Sequence, residues 1–425
     1  MKIGIRGSRI LDPAAGLDQV CDLVIQNNRI EAIGPDLAQG DTFDRIIEGT
    51  GLVAAPGLID VHVHFRDPGQ IEKEDLMSGS RAAAAGGFTT VVCMANTVPP
   101  VDNGDVLRDI LARGEAAPIR IRQASTVTCA MAGTELVDLE AMQRAGATGF
   151  TDDGKPITDL TLLEEAMRRA AELEAVISLH EEAPALIDKA GVNKGTVSMQ
   201  LGFPGADRSA EDCMVARDCM LALSTGARVS IQHVSSANAV ELIRLAKRLG
   251  ADVWGEATPH HFTLTEEAVL THGANAKMNP PLRTAEDREA ILEGLRDNTL
   301  SIIATDHAPH TRAEKDRGLA DAPSGIIGLE TSLALGITHL VEPGHLSLSE
   351  LLAKMTCMPA ALHGMEGGTL AIGAPADVVL FDPEERWTVT EPFASKSANT
   401  PFLGQTLRGR VKMTICDGKI AYEEP

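Results

Sequence analysis

The chain has 425 residues, 44% hydrophobic and 23% charged, a globular profile with room for a barrel of ~250 residues plus a smaller domain. Its net charge of −22 argues against nucleic acid or an anionic membrane as partner, because no basic surface is left to neutralise phosphates. Aromatics are 3% of the chain, too few for a platform that stacks bases; no apolar run reaches the ~20 residues of a membrane span.

The opening MKIGIRGSRILDP lacks the apolar stretch of a signal peptide, so a cytoplasmic protein is expected. Residues 1–55 read as short strands and turns, at 2–7, 23–26, 29–33 and 45–48. Eight apolar or β-branched runs follow, at 60–66, 89–94, 119–126, 147–152, 175–180, 228–234, 251–258 and 301–307. Most are followed by a helix-length stretch, and 160–173 and 237–249 are amphipathic. Strands alternating with helices predict an α/β fold, a (β/α)8 TIM barrel over 56–369. Segment 308–325 is polar and broken by Gly and Pro, a candidate mobile loop over the barrel mouth. Residues 370–425 return to short strands, at 377–381, 412–416 and 419–422. The run Asp22-Leu-Val-Ile is loosely echoed by Asp377-Val-Val-Leu, so 1–55 and 370–425 are expected to form one small β-sandwich domain interrupted by the barrel. The seven cysteines are scattered without a CxxC pair and read as reduced thiols.

Polar residues gather where the barrel strands end, which is where barrel active sites are built. In Asp60-Val-His-Val-His-Phe-Arg, His62 and His64 stand two apart, so an extended strand points both imidazoles one way. Arg66 continues the alternation and would set a fixed positive charge beside the metal. Asp152 and Asp153, His180, His233, Asp306 and His307 close later strands. His62, His64, one of Asp152 or Asp153, His180, His233 and Asp306 could hold two divalent ions, zinc by the nature of the donors, with cobalt or manganese as substitutes. A carboxylate between two ions with a shared hydroxide would make a strong nucleophile. His260 and His261 follow the seventh strand and read as supporting or packing residues. His272, His339, His345 and His363 read as structural.

Taken together, DxHVHFRDPG (60–69), GFTDDG (149–154), SLHEE (178–182), QHVS (232–235), KMNPPLR (277–283) and TDHAPH (305–310) resemble dihydroorotase of the bacterial type I group, in the amidohydrolase superfamily. The resemblance runs from about residue 22 to 420. It implies two zinc ions per subunit, bridged by Asp153 and a hydroxide. His62, His64 and Asp306 would hold one ion; His180 and His233 would hold the other. It implies that Asp306 is the catalytic acid–base, and that His64, Arg66, Asn96, Asn279, His310, Ser324 and Gly325 contact substrate. The reaction would be reversible hydrolysis of (S)-dihydroorotate to N-carbamoyl-L-aspartate, the third step of de novo pyrimidine synthesis. Arg66 could take the substrate carboxylate bidentately, and Asn96 could offer it a donor and an acceptor. The resemblance also implies a homodimer and leaves association with aspartate transcarbamoylase open.

The sequence departs from many relatives at Glu181-Glu182, with little consequence expected, and from some at Ala322-Pro-Ser-Gly325, where a change in lid packing but not in chemistry is expected. Hydantoinase, dihydropyrimidinase and allantoinase are the rival readings. They bridge their metals with a carboxylated lysine after strand four, where this chain has Asp152-Asp153 and, two residues on, Lys155. A non-catalytic scaffold subunit is the other alternative, and it would be marked by missing ligands.

Overall fold

Turn residues cut the apolar runs into short strands. In the computed structural model, which describes residues 1–40, 42–187, 189 and 191–425, five strands come first: β1 (Lys2–Asp12), β2 (Leu17–Gln26), β3 (Arg29–Gly34), β4 (Arg45–Glu48) and β5 (Val53–Pro56). The barrel strands are β6 (Leu58–Val63), β7 (Phe88–Cys93), β8 (Arg120–Gln123), β9 (Val176–Leu179), β10 (Arg228–Ile231), β11 (Val253–Ala257) and β12 (Leu300–Ile303). The chain ends in β13 (Val378–Thr388), β14 (Thr406–Cys416) and β15 (Lys419–Glu423).

Strands from both ends share one sheet, in the order β15-β14-β13-β5-β1-β2-β3 with β4 also on β1. Its two faces divide by the period of two that a pleated strand imposes. Val378 and Leu380 of β13 pack with Ile3, Ile5 and Ile10 of β1 in a separate core. Their neighbours Val379 and Phe381 join the large core of the barrel. The strands of the two termini therefore have a core of their own and lean on the barrel with the opposite face.

All barrel pairings are parallel. In β7, Val91 and Cys93 enter the large core with the helices, while Val92, and Met94 just past the strand, enter a second cluster with Ile59, Val61 and Ile302. This is the pattern of a sheet buried on both faces. The expected strand at 147–152 shrinks to one residue: Phe150 bridges Ser125 on one side and Ile177 on the other. Gly149 sets this limit, because its φ of +92° breaks the extended run just before the pairing. The last expected strand is also short, and a bridge between Val63 and His307 closes the barrel beyond it.

The helices Leu160–Glu172 and Ala237–Leu249 fall where the amphipathic patterns predict them. Asp159 caps the first by accepting from the Leu162 N–H, and Ser236 caps the second through the Ala239 N–H. Segment 308–325 contains a short helix, Arg312–Lys315. It is tied down more than a free loop, since Asn399 Nδ2 donates to the carbonyls of Ala308 (3.0 Å) and Gly325 (2.9 Å). No helix among the described residues is long and apolar enough to cross a membrane.

Candidate metal centre and active site

The end of β6 is stapled to the end of the last barrel strand. Asp60, fully buried, accepts from the His62 N–H at 3.0 Å and the Thr305 N–H at 3.2 Å. Burial pushes its carboxyl up to about 6 against these hydrogen bonds. The His64 N–H donates to the His307 carbonyl at 2.9 Å. Both imidazoles then reach one point: His62 Nε2 and His64 Nε2 lie 3.4 and 3.1 Å from Asp306 Oδ1. They lie 3.6 and 3.4 Å from the two oxygens of Asp153. On the far side of Asp153, its Oδ1 is 3.5 Å from His180 Nδ1 and 3.8 Å from His233 Nε2. Three overlapping triads have the spacing of a metal site: His62, His64 and Asp153; His62, His233 and Asp306; Asp153, His180 and His233. All six expected ligands are thus together, and Asp153 belongs to both histidine pairs.

The donor atoms facing this point fit a cation. His62 Nε2 is buried with no hydrogen-bond partner. Its Nδ1–H is held by Glu256 Oε2 at 3.2 Å, which leaves the Nε2 lone pair aimed inward. His64 Nδ1–H donates to Asn96 Oδ1 at 3.0 Å, and His180 Nε2–H to Glu182 Oε2 at 3.0 Å. His180 Nδ1 and His233 Nε2 are then pressed to 2.9 Å of one another. Charge tells the same story. Burial works against the His62 imidazolium, yet Asp306, Glu256 and Asp153 push it up to about 10. Burial likewise opposes ionisation of Asp153, which is nonetheless held well below the usual carboxylate range by His180 and His233. A pocket that draws positive charge this strongly suits a divalent ion.

Asp152 is not part of the cluster. Its Oδ1 accepts from the N–H groups of Val127 (2.8 Å) and Thr128 (3.1 Å), and the Thr128 hydroxyl donates to its Oδ2, so it shapes a neighbouring loop. Lys155 is exposed. His261 is bonded to Thr258 Oγ1 (2.7 Å) and the Pro280 carbonyl (3.0 Å), as a packing residue would be. His260 is buried beside the cluster, and burial pushes it down to about 4, so it is neutral. His307 faces Glu74 at 3.4 Å, away from the ligands.

A cavity of about 430 Å³ opens beside the cluster. Its lining includes His64, Arg66, Asn96, Asn279, His310, Ser324 and Gly325, the whole expected substrate set. Two details differ from expectation. Arg66 does not reach the cavity by continuing strand alternation: β6 ends at Val63, and Arg66 takes a left-handed φ of +57° that swings its side chain inward. Asn96 lines the cavity, but its amide is engaged by the ligands: Oδ1 by His64, and Nδ2 by Asp153 Oδ2 at 3.0 Å. Burial and then Arg66 push His310 down to about 2, so its ring is neutral, and its Nε2–H donates to the Ser324 carbonyl at 2.9 Å. Ser324 Oγ in turn donates to Asn279 Oδ1 at 3.1 Å.

The sequence reading missed Glu256 and gave Glu182 no role. A signal for Glu256 existed: a lone acid in the run Val253-Trp-Gly-Glu-Ala must be partnered if that run is a buried strand. Glu182 lay in the Glu181-Glu182 pair that departs from relatives, and it lines the cavity as well as holding His180.

Two family models match the chain: "Dihydro-orotase-like" over residues 51–239 and "Amidohydrolase family" over 328–422. The dihydroorotase of Clostridioides difficile is 55% identical, covering 98% of this chain and 99% of the relative. That of Lactococcus lactis is 50% identical over the full length of both. Among solved structures, the L-hydantoinase (dihydropyrimidinase) of Arthrobacter aurescens superposes with a TM-score of 0.90 at 26% identity, covering 99% of this chain and 96% of the other. It shares the overall architecture of this chain but is more distant in sequence than the dihydroorotases. With its six donors gathered in three overlapping triads and relatives matched end to end, the chain belongs to the dihydroorotase family of the amidohydrolases.

Proposed function

We propose that this protein is a zinc-dependent dihydroorotase, interconverting (S)-dihydroorotate and N-carbamoyl-L-aspartate. The observation that carries the reading is the sharing of Asp153 between the two histidine pairs, with Arg66 in the adjoining cavity and Lys155 exposed. A hydantoinase-type site needs a lysine where Asp153 stands, and a neutral ring has no use for Arg66.

His62, His64 and Asp306 would hold one zinc, His180 and His233 the other, with Asp153 common to both. When bound, the metal activates water and polarises the ring carbonyl. The rest falls to the chain's own groups. Arg66 pairs with the substrate carboxylate, while Asn279 and the backbone at Ser324-Gly325 line the ring's edge. Asp306, held ionised by His62 and His64 against its burial, takes a proton from the attacking water and delivers it to the ring nitrogen as the C–N bond breaks. The product carries the new carboxylate and a ureido group. Glu182 and Glu256 keep their histidines in the tautomers that present a lone pair inward.

We read 56–369 as the catalytic barrel and 1–55 with 370–425 as the second domain. A homodimer in the cytoplasm is the proposed working state, which sedimentation tests; co-migration with aspartate transcarbamoylase is a separate test. The deciding assay is turnover of dihydroorotate by metal-loaded protein. No turnover, alongside activity on hydantoin or allantoin, overturns the reading.

A further inference from the structure

Segment 319–325 belongs to no strand or helix, and its last two residues, Ser324 and Gly325, line the cavity. Its carbonyls cannot pair in a ladder, and burial makes unpaired carbonyls costly. Two lysines meet that need. Lys277 Nζ donates to the carbonyls of Leu319 (2.9 Å) and Ala322 (2.7 Å), with that of Ala320 at 3.5 Å. Lys315 Nζ donates to the carbonyls of Pro323 and Gly325, both at 2.9 Å. The two side chains are buried, 5% and 6% exposed, and neither makes an ion pair among the described residues. Lys277 also lies over the Phe203 ring at 5.9 Å. The Gly325 N–H returns to the Lys277 carbonyl at 2.9 Å, so the strand-seven side of the barrel and the segment are tied in both directions.

Placing two buried ammonium groups together is unfavourable: burial lowers the pKa of both, that of Lys315 to about 7, and the nearby Asp321 and Glu314 offset this only in part. An ordinary surface loop needs no such device. The consequence lies one residue further on: the Ser324 carbonyl, between the clamped carbonyls of Pro323 and Gly325, accepts from His310 Nε2. That bond fixes the proton of the neutral His310 ring on Nε2 and sets the ring against Arg66, whose Nη2 is 3.4 Å away. Neither lysine lines the cavity itself.

We propose that Lys277 and Lys315 are positioning residues: a pair of ammonium clamps that hold the 319–325 backbone so that Ser324 and Gly325 stand preformed at the substrate site and, through the Ser324 carbonyl, hold the His310 ring in place beside Arg66. This rests on the dihydroorotase reading for the identity of the substrate, though not for the clamp itself.

The test uses Lys277→Met, Lys315→Met and the milder Lys315→Gln, which keeps two N–H donors without the charge. Expected are a KM for dihydroorotate raised at least tenfold in the Met variants, less in Lys315→Gln, with kcat within threefold and metal content unchanged. Backbone amide exchange across 319–326 should quicken by at least tenfold in the same variants. If a Met variant fails to fold, Lys315→Gln decides alone by the same two readouts. An unchanged KM with unchanged exchange overturns the clamp, and so does an equal loss of kcat with loss of metal, which would mark a general structural role. Should the wild type not turn over dihydroorotate, the functional reading fails, and amide exchange still decides the clamp.

Discussion

Glu256 offers the sharpest test of how the metal centre is held. Its side chain is fully buried; Oε2 takes the His62 Nδ1–H at 3.2 Å and Oε1 takes the Ser230 hydroxyl at 2.7 Å. The substitution Glu256→Gln keeps the shape and one acceptor but removes the negative charge. The imidazole becomes a poorer donor to metal, and its tautomer is no longer enforced. Loss of such an outer partner weakens metal binding about 10–100-fold, or about 1.4–2.8 kcal/mol. Glu256→Ala should do more, because the Ser230 hydroxyl also loses its acceptor inside the barrel, adding about 1–3 kcal/mol of lost stability. Ser230→Ala removes only the outer bond and should leave metal affinity within a fewfold of wild type. The assay is competition of stripped protein against a zinc buffer, with bound metal counted directly. If folded Glu256→Gln binds zinc as tightly as wild type, the orienting role of Glu256 is refuted, and with it the idea that His62 Nε2 is aimed by its partner.

Four further outcomes are expected. Arg66→Ala should weaken substrate binding by about 2–5 kcal/mol, as for one partner of a desolvated charge pair, with Arg66→Lys between it and wild type; unchanged KM and kcat would remove Arg66 from the site. Asp306→Asn should lower kcat by about 10²–10⁴, the worth of a positioned acid–base, in stopped assays with the variant's metal content measured alongside. Zinc at 100 times its Kd should stabilise the fold by about 2.7 kcal/mol, read as a Tm that falls on chelation; an identical Tm would argue that the cluster binds no metal. Stability should also fall on acidification. Burial, then Arg228, pushes His363 down to about 4, and its Nε2 is buried without a partner although the residue is part-exposed. The folded ring has a lower pKa than the unfolded one, near 6.5, so the unfolded state binds more protons between those values. Stability is full above pH ~6.5 and drops by on the order of 2 kcal/mol as pH falls toward ~4. Denaturant melts of wild type and His363→Gln at pH 7 and 4.5 should show a smaller difference for the variant.

The barrel and its six candidate ligands were legible in the sequence because both are set by local patterns. Strand and helix periods repeat within a dozen residues, and metal donors come from a short list of side chains at strand ends. What was not legible depends on partners far apart. Glu256 supports His62 from 194 positions away. The Lys277 ammonium finds its carbonyls 42 to 45 residues downstream, and no spacing rule announces such a contact. The choice between Asp152 and Asp153 needed family resemblance, because a period-two strand could aim either one. The geometry separates them by partner: Asp152 is saturated by the loop at 127–128, and Asp153 faces the histidines. The fourth strand failed as a strand because a β-branched, apolar composition does not reveal that Gly149 will adopt φ +92°.

Backbone conformation explains why the donors converge at all. Three chain segments that build the site turn left-handed at non-glycine residues: Arg66 at φ +57°, His233 at +36° and Asp306 at +47°. Each costs about 1–3 kcal/mol and persists only where neighbours dictate it. The neighbours are present. The Val234 N–H donates to the Glu256 carbonyl at 2.9 Å, just past His233, and the Gln70 N–H donates to the Arg66 carbonyl at 2.9 Å. Around Asp306, the Thr305 N–H is held by Asp60 and the His307 N–H by Thr305 Oγ1 at 3.1 Å. A strand that simply continued would carry its side chains on past the barrel mouth, alternating between faces. The left-handed step redirects one side chain toward the barrel mouth at the point where pairing stops. Glycine would relieve the strain at each position yet could not supply imidazole, carboxylate or guanidinium, so the chain keeps the strained residue. Asp60 and Glu256 divide the work: the Asp60 carboxylate holds the His62 and Thr305 backbone, while Glu256 holds the turn at Val234 with its carbonyl and the His62 ring with its carboxylate. Loss of the Asp60 carboxylate should therefore loosen the metal centre through the backbone at His62 and Thr305, and loss of the Glu256 carboxylate through the His62 imidazole.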